Sequence, residues 1–385
     1  MAGPLLDPFA AGRRTWLKGG LASVATGLGV GALPGCATPP VRLGFLGGLT
    51  GPTSDLGVAA RDSALLAVEM VNQRGGVAGA PVELLEFDDR QDPAALVDTL
   101  RAMQSAGLAG VIGPMTSSVA AAWIPLANQA GLTTVSPTVT SSDFSGENDH
   151  FFRVCSTTQE YAHLSAVYAA QQMGWRRLAL VRDDSNRAYT RSWARHFGRS
   201  LETQGGQLLH EAVFTSHTLH TGLLPALLNA TGHKPDALVV VANARDTALM
   251  AQHLAKHGVA LPMLAGEWAA TDKLMAFGGR AVEQMLVAQY FDPSSQLPAY
   301  RAFVERFLLR FRREPGFAEV AAHDATVVTL KALAERQRGE TLRQALLRVG
   351  LFEGLQQTIH LSATGDAQRS LFMTRVVGGK FVVVA

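Results

Sequence analysis

Two hydroxyl-rich clusters, each after a short run of β-branched or apolar residues, constrain the fold of this chain most. The first run is residues 111–113, and Thr116, Ser117 and Ser118 follow it. The second run is residues 133–135, and the cluster at 136–142 holds three serines and two threonines. The residues between the clusters have apolar side chains at helical spacing. This pattern predicts one β-α-β unit of a parallel sheet.

The order of these segments places both clusters at the carboxyl ends of neighbouring strands. Open α/β sheets bind their ligands at that edge. Hydroxyls and backbone N–H groups beside a helix N-terminus suit an anionic group such as a carboxylate. Capping of the next helix explains any single Ser or Thr about equally well. Two clusters at matching strand ends favour a binding site.

Composition indicates a globular protein with more than one core. The chain has 385 residues, of which 47% are hydrophobic and 17% are charged, with a formal net charge of +2. That length favours two lobes. A nearly neutral chain without a basic run argues against a nucleic-acid partner. Cys36 and Cys155 are the only cysteines, so the sequence contains no disulfide framework.

Residues 1–36 have the features of an export signal. Arg13 and Arg14 precede a mildly apolar, Gly- and Ala-rich run at 21–33, which is too short to span a bilayer. The arginine pair resembles a twin-arginine signal, with Trp16 where Phe is usual. The charged start of an ordinary secretory signal is the alternative.

The signal ends in Leu33-Pro34-Gly35-Cys36, which resembles the lipobox of bacterial lipoproteins. That resemblance implies that Cys36 becomes the lipidated first residue of the mature protein. Residues 37–40 would then be a short tether between the lipid and the folded chain. We therefore expect a protein of the periplasm or cell surface, held to a membrane by a lipid anchor only.

Several other classes of site are not supported by the sequence. The glycines at 47–51 lack the spacing of a dinucleotide fingerprint, and no acidic residue lies at the usual distance to hold a ribose. The acidic run at 88–92 includes Arg90 and precedes Pro93, which favours a helix entry over a metal site. No Ser-His-Asp order, HExxH or CxxC pair is present. We expect no enzyme activity, no metal and no cofactor.

From residue 41 onward the chain resembles the leucine/isoleucine/valine-binding protein family of periplasmic solute-binding proteins. The matching segments occur in the family's order: Leu49-Thr50-Gly51-Pro52, Val71-Asn72-Gln73-Arg74-Gly75-Gly76-Val77, Asp88-Asp89-Arg90-Gln91-Asp92-Pro93, Val111-Ile112-Gly113-Pro114, Ser136-Pro137 and Gly365-Asp366. The resemblance implies an α/β fold of two Rossmann-like lobes with parallel sheets flanked by helices. Three crossings would join the lobes, which close on a ligand held between them.

By resemblance, the crossings lie near residues 155–158, 287–289 and 357–361. Lobe 1 would then consist of residues 41–156 and 288–358, and lobe 2 of residues 157–287 and 359–385.

The resemblance also implies five ligand-binding residues. Ser117 matches a position whose hydroxyl holds the ligand α-carboxylate, and Thr140 matches one whose hydroxyl and amide do the same. Thr138 matches a position that offers its backbone carbonyl to the α-ammonium. Tyr189 matches a first-contact tyrosine of the second lobe, and Glu267 matches the acid that pairs the ammonium. Neutral donors on one lobe would hold the ligand carboxylate, and a carboxylate on the other lobe would pair the ligand ammonium. A desolvated cleft tolerates charges that are paired and hydrogen-bonded in this way.

Three departures from the family pattern leave the identity of the ligand's side chain open. Leu56 stands where many members have an aromatic residue, and Asn243 or Ala244 stands where a tyrosine is common. Thr116 replaces the usual disulfide partner. The zwitterion clamp therefore looks retained while the side-chain pocket looks rebuilt, and leucine cannot be assigned by analogy.

The resemblance implies an extracytoplasmic lipoprotein that captures an amino acid or close analogue and delivers it to the permease subunits of an ABC importer. A sensor of the same fold, which passes amide or amino-acid occupancy to a signalling partner, is the alternative. Two roles are equally compatible with the position of Trp268 beside Glu267: stacking on the ligand and packing between the lobes. We expect His323 to be packed and Cys155 to be a buried, inert thiol.

Overall fold

The computed structural model describes residues 38–51, 54–215 and 234–385. The expected export signal at 1–36, its Cys36 and the first residue of the expected tether lie outside the described residues. Within the described ranges the chain forms two large sheets with helices packed on them, together with one small antiparallel sheet.

The first sheet is entirely parallel. Its strands are β1 Val41–Gly47, β2 Val82–Asp88, β3 Gly110–Ile112, β4 Thr134–Ser136 and β5 Phe151–Arg153, in the order β2-β1-β3-β4-β5. The helices of this part are α1 Asp55–Gln73, α2 Leu96–Ala106 and α3 Ser117–Ala130. Gly107 and Gly131 end α2 and α3 in the left-handed conformation that glycine adopts without a steric penalty. The β-α-β unit predicted from the hydroxyl clusters is therefore β3-α3-β4.

A second α/β series follows the first. Its strands are β6 Arg177–Asp183, β7 Gln207–Phe214, β8 Ala237–Val241, β9 Met263–Ala265 and β10 Leu286–Gln289, and its helices are α4 Thr158–Gln171, α5 Arg187–Thr203, α6 Ala244–Lys256 and α7 Asp272–Gly278. β8 is a continuous apolar run, buried at every position. Such a run is typical of a parallel strand covered on both faces.

The chain then returns to the first sheet. Helices α8 Pro298–Phe311, α9 Phe317–Ala334 and α10 Leu342–Val349 are followed by the small antiparallel sheet of β11 Leu351–Glu353, β12 Thr358–Leu361 and β13 Ala367–Gln368. Ala322, Ala325 and Val328 of α9 belong to the same buried cluster as Leu43 and Phe45 of β1. Short 3-10 helices occur at Pro93–Ala95, Ser142–Phe144, Glu267–Ala269 and Gly279–Val282.

The last two strands, β14 Phe372–Val377 and β15 Lys380–Val383, extend the second sheet beside β10. Its order is β15-β14-β10-β9-β8-β6-β7, with β14 and β15 antiparallel to their neighbours and the other five strands parallel. The two sheets and their helices form the two lobes, in agreement with the expected fold class.

The chain passes between the lobes three times. The first passage follows β5, the second follows β10, and the third joins β13 to β14 at residues 369–371. Residues 357–361, expected to form the third crossing, form β12 instead. Ile359 and Leu361 are buried in the cluster that contains Phe45 of β1, so the chain remains with the first lobe as far as β13. The expected lobe boundary after residue 358 therefore moves to about residue 369.

Arg369 connects the three passages. Its Nε donates to the carbonyl of Val154, which follows β5, at 2.7 Å. Its guanidinium carbon lies 5.3 Å from the ring centre of Tyr290, which follows β10. Its Nη2 donates to Asp324 of α9 at 2.5 Å. Both ionised side chains are 1% exposed, so the place where the lobes join is built around one buried ion pair.

Candidate functional site

A cavity lies between the two lobes, and all five residues singled out from the sequence line it. The first lobe contributes three of them from the loops after β3 and β4, and the second lobe contributes two from the loops after β6 and β9. Those residues are Ser117, Thr138 and Thr140 of the first lobe and Tyr189 and Glu267 of the second. Each comes from the carboxyl edge of a parallel sheet, where such sheets bind ligands.

Ser117 is the first residue of α3 and is 2% exposed. Its Oγ accepts a hydrogen bond from the Ser141 amide at 3.3 Å, which joins the two hydroxyl clusters. The first-turn N–H groups of α3 have no partners within the helix and carry the positive end of its dipole. This corner of the cavity can therefore hold a negatively charged group.

The two threonines after β4 use their hydroxyls differently. The Thr138 hydroxyl donates to the Met115 carbonyl at 2.6 Å, so it fixes the loop after β3. The Thr140 hydroxyl donates to Oε1 of Glu267 at 3.0 Å and connects the lobes across the cavity. Resemblance assigns the Thr140 hydroxyl to a ligand carboxylate, but in this structure it is paired with a protein carboxylate.

Glu267 supplies the only carboxyl group among the described residues that line the cavity. Burial raises the pKa of its carboxyl to about 7, although Thr140, Tyr189 and Trp193 favour the charged form. Its Oε2 makes no hydrogen bond within 3.5 Å to the described residues, and the Tyr189 hydroxyl and Trp193 indole N–H near the carboxyl also have no partner at that distance. A buried carboxylate oxygen without a donor is unfavourable, so this position suits a ligand that brings a donor, above all a cation.

Tyr189 lies in the first turn of α5 and is 3% exposed. Its ring meets that of Trp268 edge to face, with ring centres 5.8 Å apart. A Cβ at Gly266 would lie 2.5 Å from the Tyr189 hydroxyl, so a glycine is needed directly before Glu267. Trp268 itself lines the cavity and also packs on Tyr189, so both roles considered for it are compatible with its position.

Sequence reasoning missed several residues of the site. Gln289, at the end of β10, lines the cavity, and so does Asn186, which precedes α5. The Asn186 Oδ1 accepts from the Ser118 amide at 3.0 Å, a second connection between the lobes. Both residues follow strands of a parallel sheet, so applying the strand-end rule to every strand would have found them.

The rest of the lining is apolar or aromatic, and its members are Leu56, Met115, Pro137, Cys155, Tyr161, Ala270, Tyr290, Phe291 and Phe317. Leu56 therefore lies at the cavity, as its alignment with a ligand-contact position implied. Asn243 instead caps α6 by accepting from the Asp246 amide at 2.9 Å, and it lines a separate outer groove.

Two residues with reactive or ionisable side chains have packing roles. Cys155 is 2% exposed, and burial raises the pKa of its thiol to about 12. The His323 ring packs against that of Phe303, with centres 4.9 Å apart. Both observations agree with the expectations. Among the described residues, no three His, Cys, Asp or Glu side chains are grouped to hold a metal ion, and no helix has the length and apolarity to cross a membrane.

A family model for periplasmic binding proteins matches residues 40–380 of the chain. The Leu/Ile/Val-binding protein homolog 3 of Brucella melitensis is 25% identical over 358 residues, which cover 91% of this chain and 95% of that protein. This family and this relative are binding proteins rather than enzymes, in agreement with the missing catalytic motifs.

Solved structures show the same fold. The leucine-binding protein of Thermotoga maritima superposes with a TM-score of 0.81 at 24% identity, covering 90% of this chain and 98% of that one. A solute-binding protein of an ABC transporter from R. palustris, solved with benzoate, gives a TM-score of 0.80 at 18% identity and covers 90% and 95% of the two chains. One fold therefore accommodates chemically different ligands, so the ligand must be argued from the cavity.

Proposed function

Since this chain belongs to the family of periplasmic binding proteins, we propose that it captures an amino acid or close analogue between its lobes. It delivers this ligand to the permease subunits of an ABC importer. The observation that carries the proposal is the polarity of the cavity. A helix N-terminus with Ser117 stands on the first lobe, and a buried carboxylate with one unpartnered oxygen, Glu267, stands on the second.

This arrangement complements a zwitterion. The positive end of the α3 dipole and the Ser117 hydroxyl favour the ligand carboxylate, while Glu267 accepts from the ligand ammonium. The ammonium would also offset the desolvation penalty that burial imposes on Glu267, because it supplies an opposite charge. The Thr138 carbonyl and the Thr140 amide would add contacts to the ammonium and the carboxylate respectively. Tyr189 would cover the bound ligand from the second lobe.

The remaining lining favours an apolar or aromatic ligand side chain. Met115, Phe291 and Phe317 all contribute to this wall. The names of the relatives point to branched-chain amino acids, but Leu56 replaces an aromatic contact common in the family. We therefore assign the ligand to the amino acids as a class, and measurement must decide among them.

A thermal-shift screen of the twenty standard amino acids, followed by calorimetry, tests this function. At 100 times its Kd, a ligand adds about 2.7 kcal/mol to the stability of the folded state. We expect at least one amino acid with an apolar or aromatic side chain to give such a shift. The deaminated acid of each hit is the matched control, and benzoate is included as a plain carboxylate. A shift with benzoate or the deaminated acids alone would reject the proposal.

The proposal includes a lipid anchor at Cys36, which keeps the protein at the membrane outside the cytoplasm. We expect wild type to partition with membranes when produced in a bacterial host with lipoprotein processing. Cys36→Ser should accumulate as unlipidated precursor or soluble protein, because serine has no thiol to carry the lipid. Cys155→Ser is the control, since that thiol is buried. Intact-mass analysis that finds an unmodified Cys36, or cleavage at another residue, would contradict the anchor.

A further inference from the structure

We propose that Gln289 determines specificity for a primary ammonium group, because its side-chain oxygen accepts a hydrogen bond from the ligand beside Glu267. This inference rests on the proposed function. It assigns a role to a residue for which neither the strand pattern nor the family resemblance gave one.

The hydrogen bonds around Gln289 fix the orientation of its amide. The Thr374 hydroxyl donates its single hydrogen to the Val287 carbonyl at 2.8 Å. That hydroxyl can then only accept from Gln289, whose amide lies 2.7 Å away. The atom facing Thr374 is therefore Nε2, and the other atom of the amide is the oxygen.

That oxygen is an acceptor without a donor. Gln289 is 3% exposed and lines the cavity, and its Oε1 has no hydrogen-bond partner among the described residues. Burying a polar atom without a partner is unfavourable. A bound group that donates to Oε1 removes that penalty, so the site selects for a ligand with a donor at this place.

The sheet places Gln289 next to Glu267. β9 and β10 are parallel neighbours in which Ala265 is paired with Val287. Gly266 continues the extended backbone beyond β9, so Glu267 and Gln289 each lie two residues beyond the paired positions. The two residues therefore lie at the carboxyl ends of adjacent strands, and both side chains line the same cavity. One donor group can therefore reach both unpartnered oxygens.

A primary ammonium fits this pair because it carries three N–H donors. Glu267 Oε2 and Gln289 Oε1 accept two of them, and the Thr138 carbonyl is the proposed acceptor of the third. N-methylation of the ligand removes one donor and places a methyl group against an acceptor. Wild type should therefore prefer a primary amino acid over its N-methyl derivative by roughly tenfold or more, the loss expected for a hydrogen bond to a charged group.

The test uses the amino acid that binds most tightly in the screen, with its N-methyl derivative and its deaminated acid. For L-phenylalanine these probes are N-methyl-L-phenylalanine and 3-phenylpropanoic acid. Calorimetry is performed on wild type, Gln289→Met, Gln289→Glu and Thr374→Val. The methionine variant keeps the approximate side-chain volume but has no oxygen. The glutamate variant retains an acceptor and, like methionine, loses the donor to Thr374.

Gln289→Met should bind the primary amino acid roughly 10- to 100-fold more weakly, with a much smaller loss for the N-methyl derivative and none for the deaminated acid. Gln289→Glu should retain the preference for the primary amine, because a carboxylate presents an oxygen in either orientation. Thr374→Val should reduce it, because the Gln289 amide can then turn its Nε2 toward the ligand. Equal losses for all three probes in Gln289→Met would overturn the inference. Wild type alone also tests the inference. If it binds the primary and N-methyl amino acids with equal affinity, Gln289 Oε1 does not select for a primary ammonium. If wild type binds no amino acid, the proposed function fails first.

Discussion

Replacing Glu267 with alanine is expected to weaken amino-acid binding by roughly thirtyfold or more. Removing one partner of a buried charge pair costs about 2 to 5 kcal/mol, and 1.4 kcal/mol corresponds to a tenfold change in affinity. The carboxylate is nearly inaccessible and its Oε2 has no donor among the described residues. Without it, a ligand ammonium would be desolvated with no opposite charge beside it. Calorimetry on the variant measures the loss directly.

Ser117→Ala is the matched control for Glu267→Ala. It removes one hydrogen bond to a charged group, which is worth about 1.5 to 3 kcal/mol, so the loss of affinity should be smaller. The two variants should also differ in selectivity. Glu267→Ala should reduce the preference for the amino acid over its deaminated acid, and Ser117→Ala should leave that preference nearly intact. If Glu267→Ala binds the amino acid as tightly as wild type, Glu267 does not pair an ammonium.

The Glu267 carboxyl should also make the affinity for an amino acid depend on pH. Because burial raises the pKa of Glu267 to about 7, the group is partly protonated near neutral pH. An ammonium beside it favours the charged form and lowers the pKa, so binding should release protons. Affinity should fall as the pH decreases below 7. Calorimetry in buffers of different ionisation enthalpy measures the released protons, and Glu267→Gln should release none from this group.

Sequence alone predicted much of the fold, because it follows from local patterns. The apolar runs and the helices between them predicted two parallel sheets. Since parallel strands end at one edge of a sheet, Ser117 and Thr140, which follow β3 and β4, could be placed near one another from the sequence. Glu267 follows β9 of the other sheet, and only the family resemblance implied that it would face them; all three residues line the cavity.

The features that sequence did not predict depend on partners far along the chain. β12 alternates exposed and buried residues, a pattern that suits an edge of either lobe, so its pairing with β11 and β13 could not be read locally. Gln289 is the last residue of an apolar strand, and nothing in the sequence of that strand distinguishes it from other strand ends. Its importance comes from Thr374, which lies 85 residues later on a strand whose pairing with β10 the periodicity does not specify.

Arg369 is a further example of a long-range effect. An arginine between two short strands is ordinarily a surface residue, since arginine is almost never fully buried without a partner. Here it is buried because Asp324, 45 residues earlier on α9, supplies the opposite charge. The sequence contains both residues, but only the tertiary fold shows that they form the pair at the junction of the three passages.

Breaking that pair should produce the largest loss of stability. Removing one partner of a buried ion pair costs about 3 to 5 kcal/mol, because the other charge remains buried and uncompensated. We expect Arg369→Met to lower the free energy of unfolding by that amount in urea denaturation, since Asp324 then keeps its charge without its guanidinium partner. Arg101→Met is the control. It removes a salt bridge to Asp98 in which the side chains are 73% and 83% exposed, and should barely change the transition.

The pair can also be tested through pH and through the double variant. Burial alone would raise the pKa of Asp324, but the charge of Arg369 outweighs it and the pKa is lowered from 3.8. The stability that the pair supplies is therefore present above about pH 4 and is lost as the pH falls through the lowered pKa. Arg369→Met should reverse this dependence, because burial then raises the pKa of Asp324 and protonation at low pH removes the uncompensated charge. Asp324→Leu combined with Arg369→Met should cost less than the sum of the single changes, because no charge is left buried alone. Additive losses would show that the two side chains contribute separately, through packing and their contacts with backbone carbonyls, and not as an ion pair.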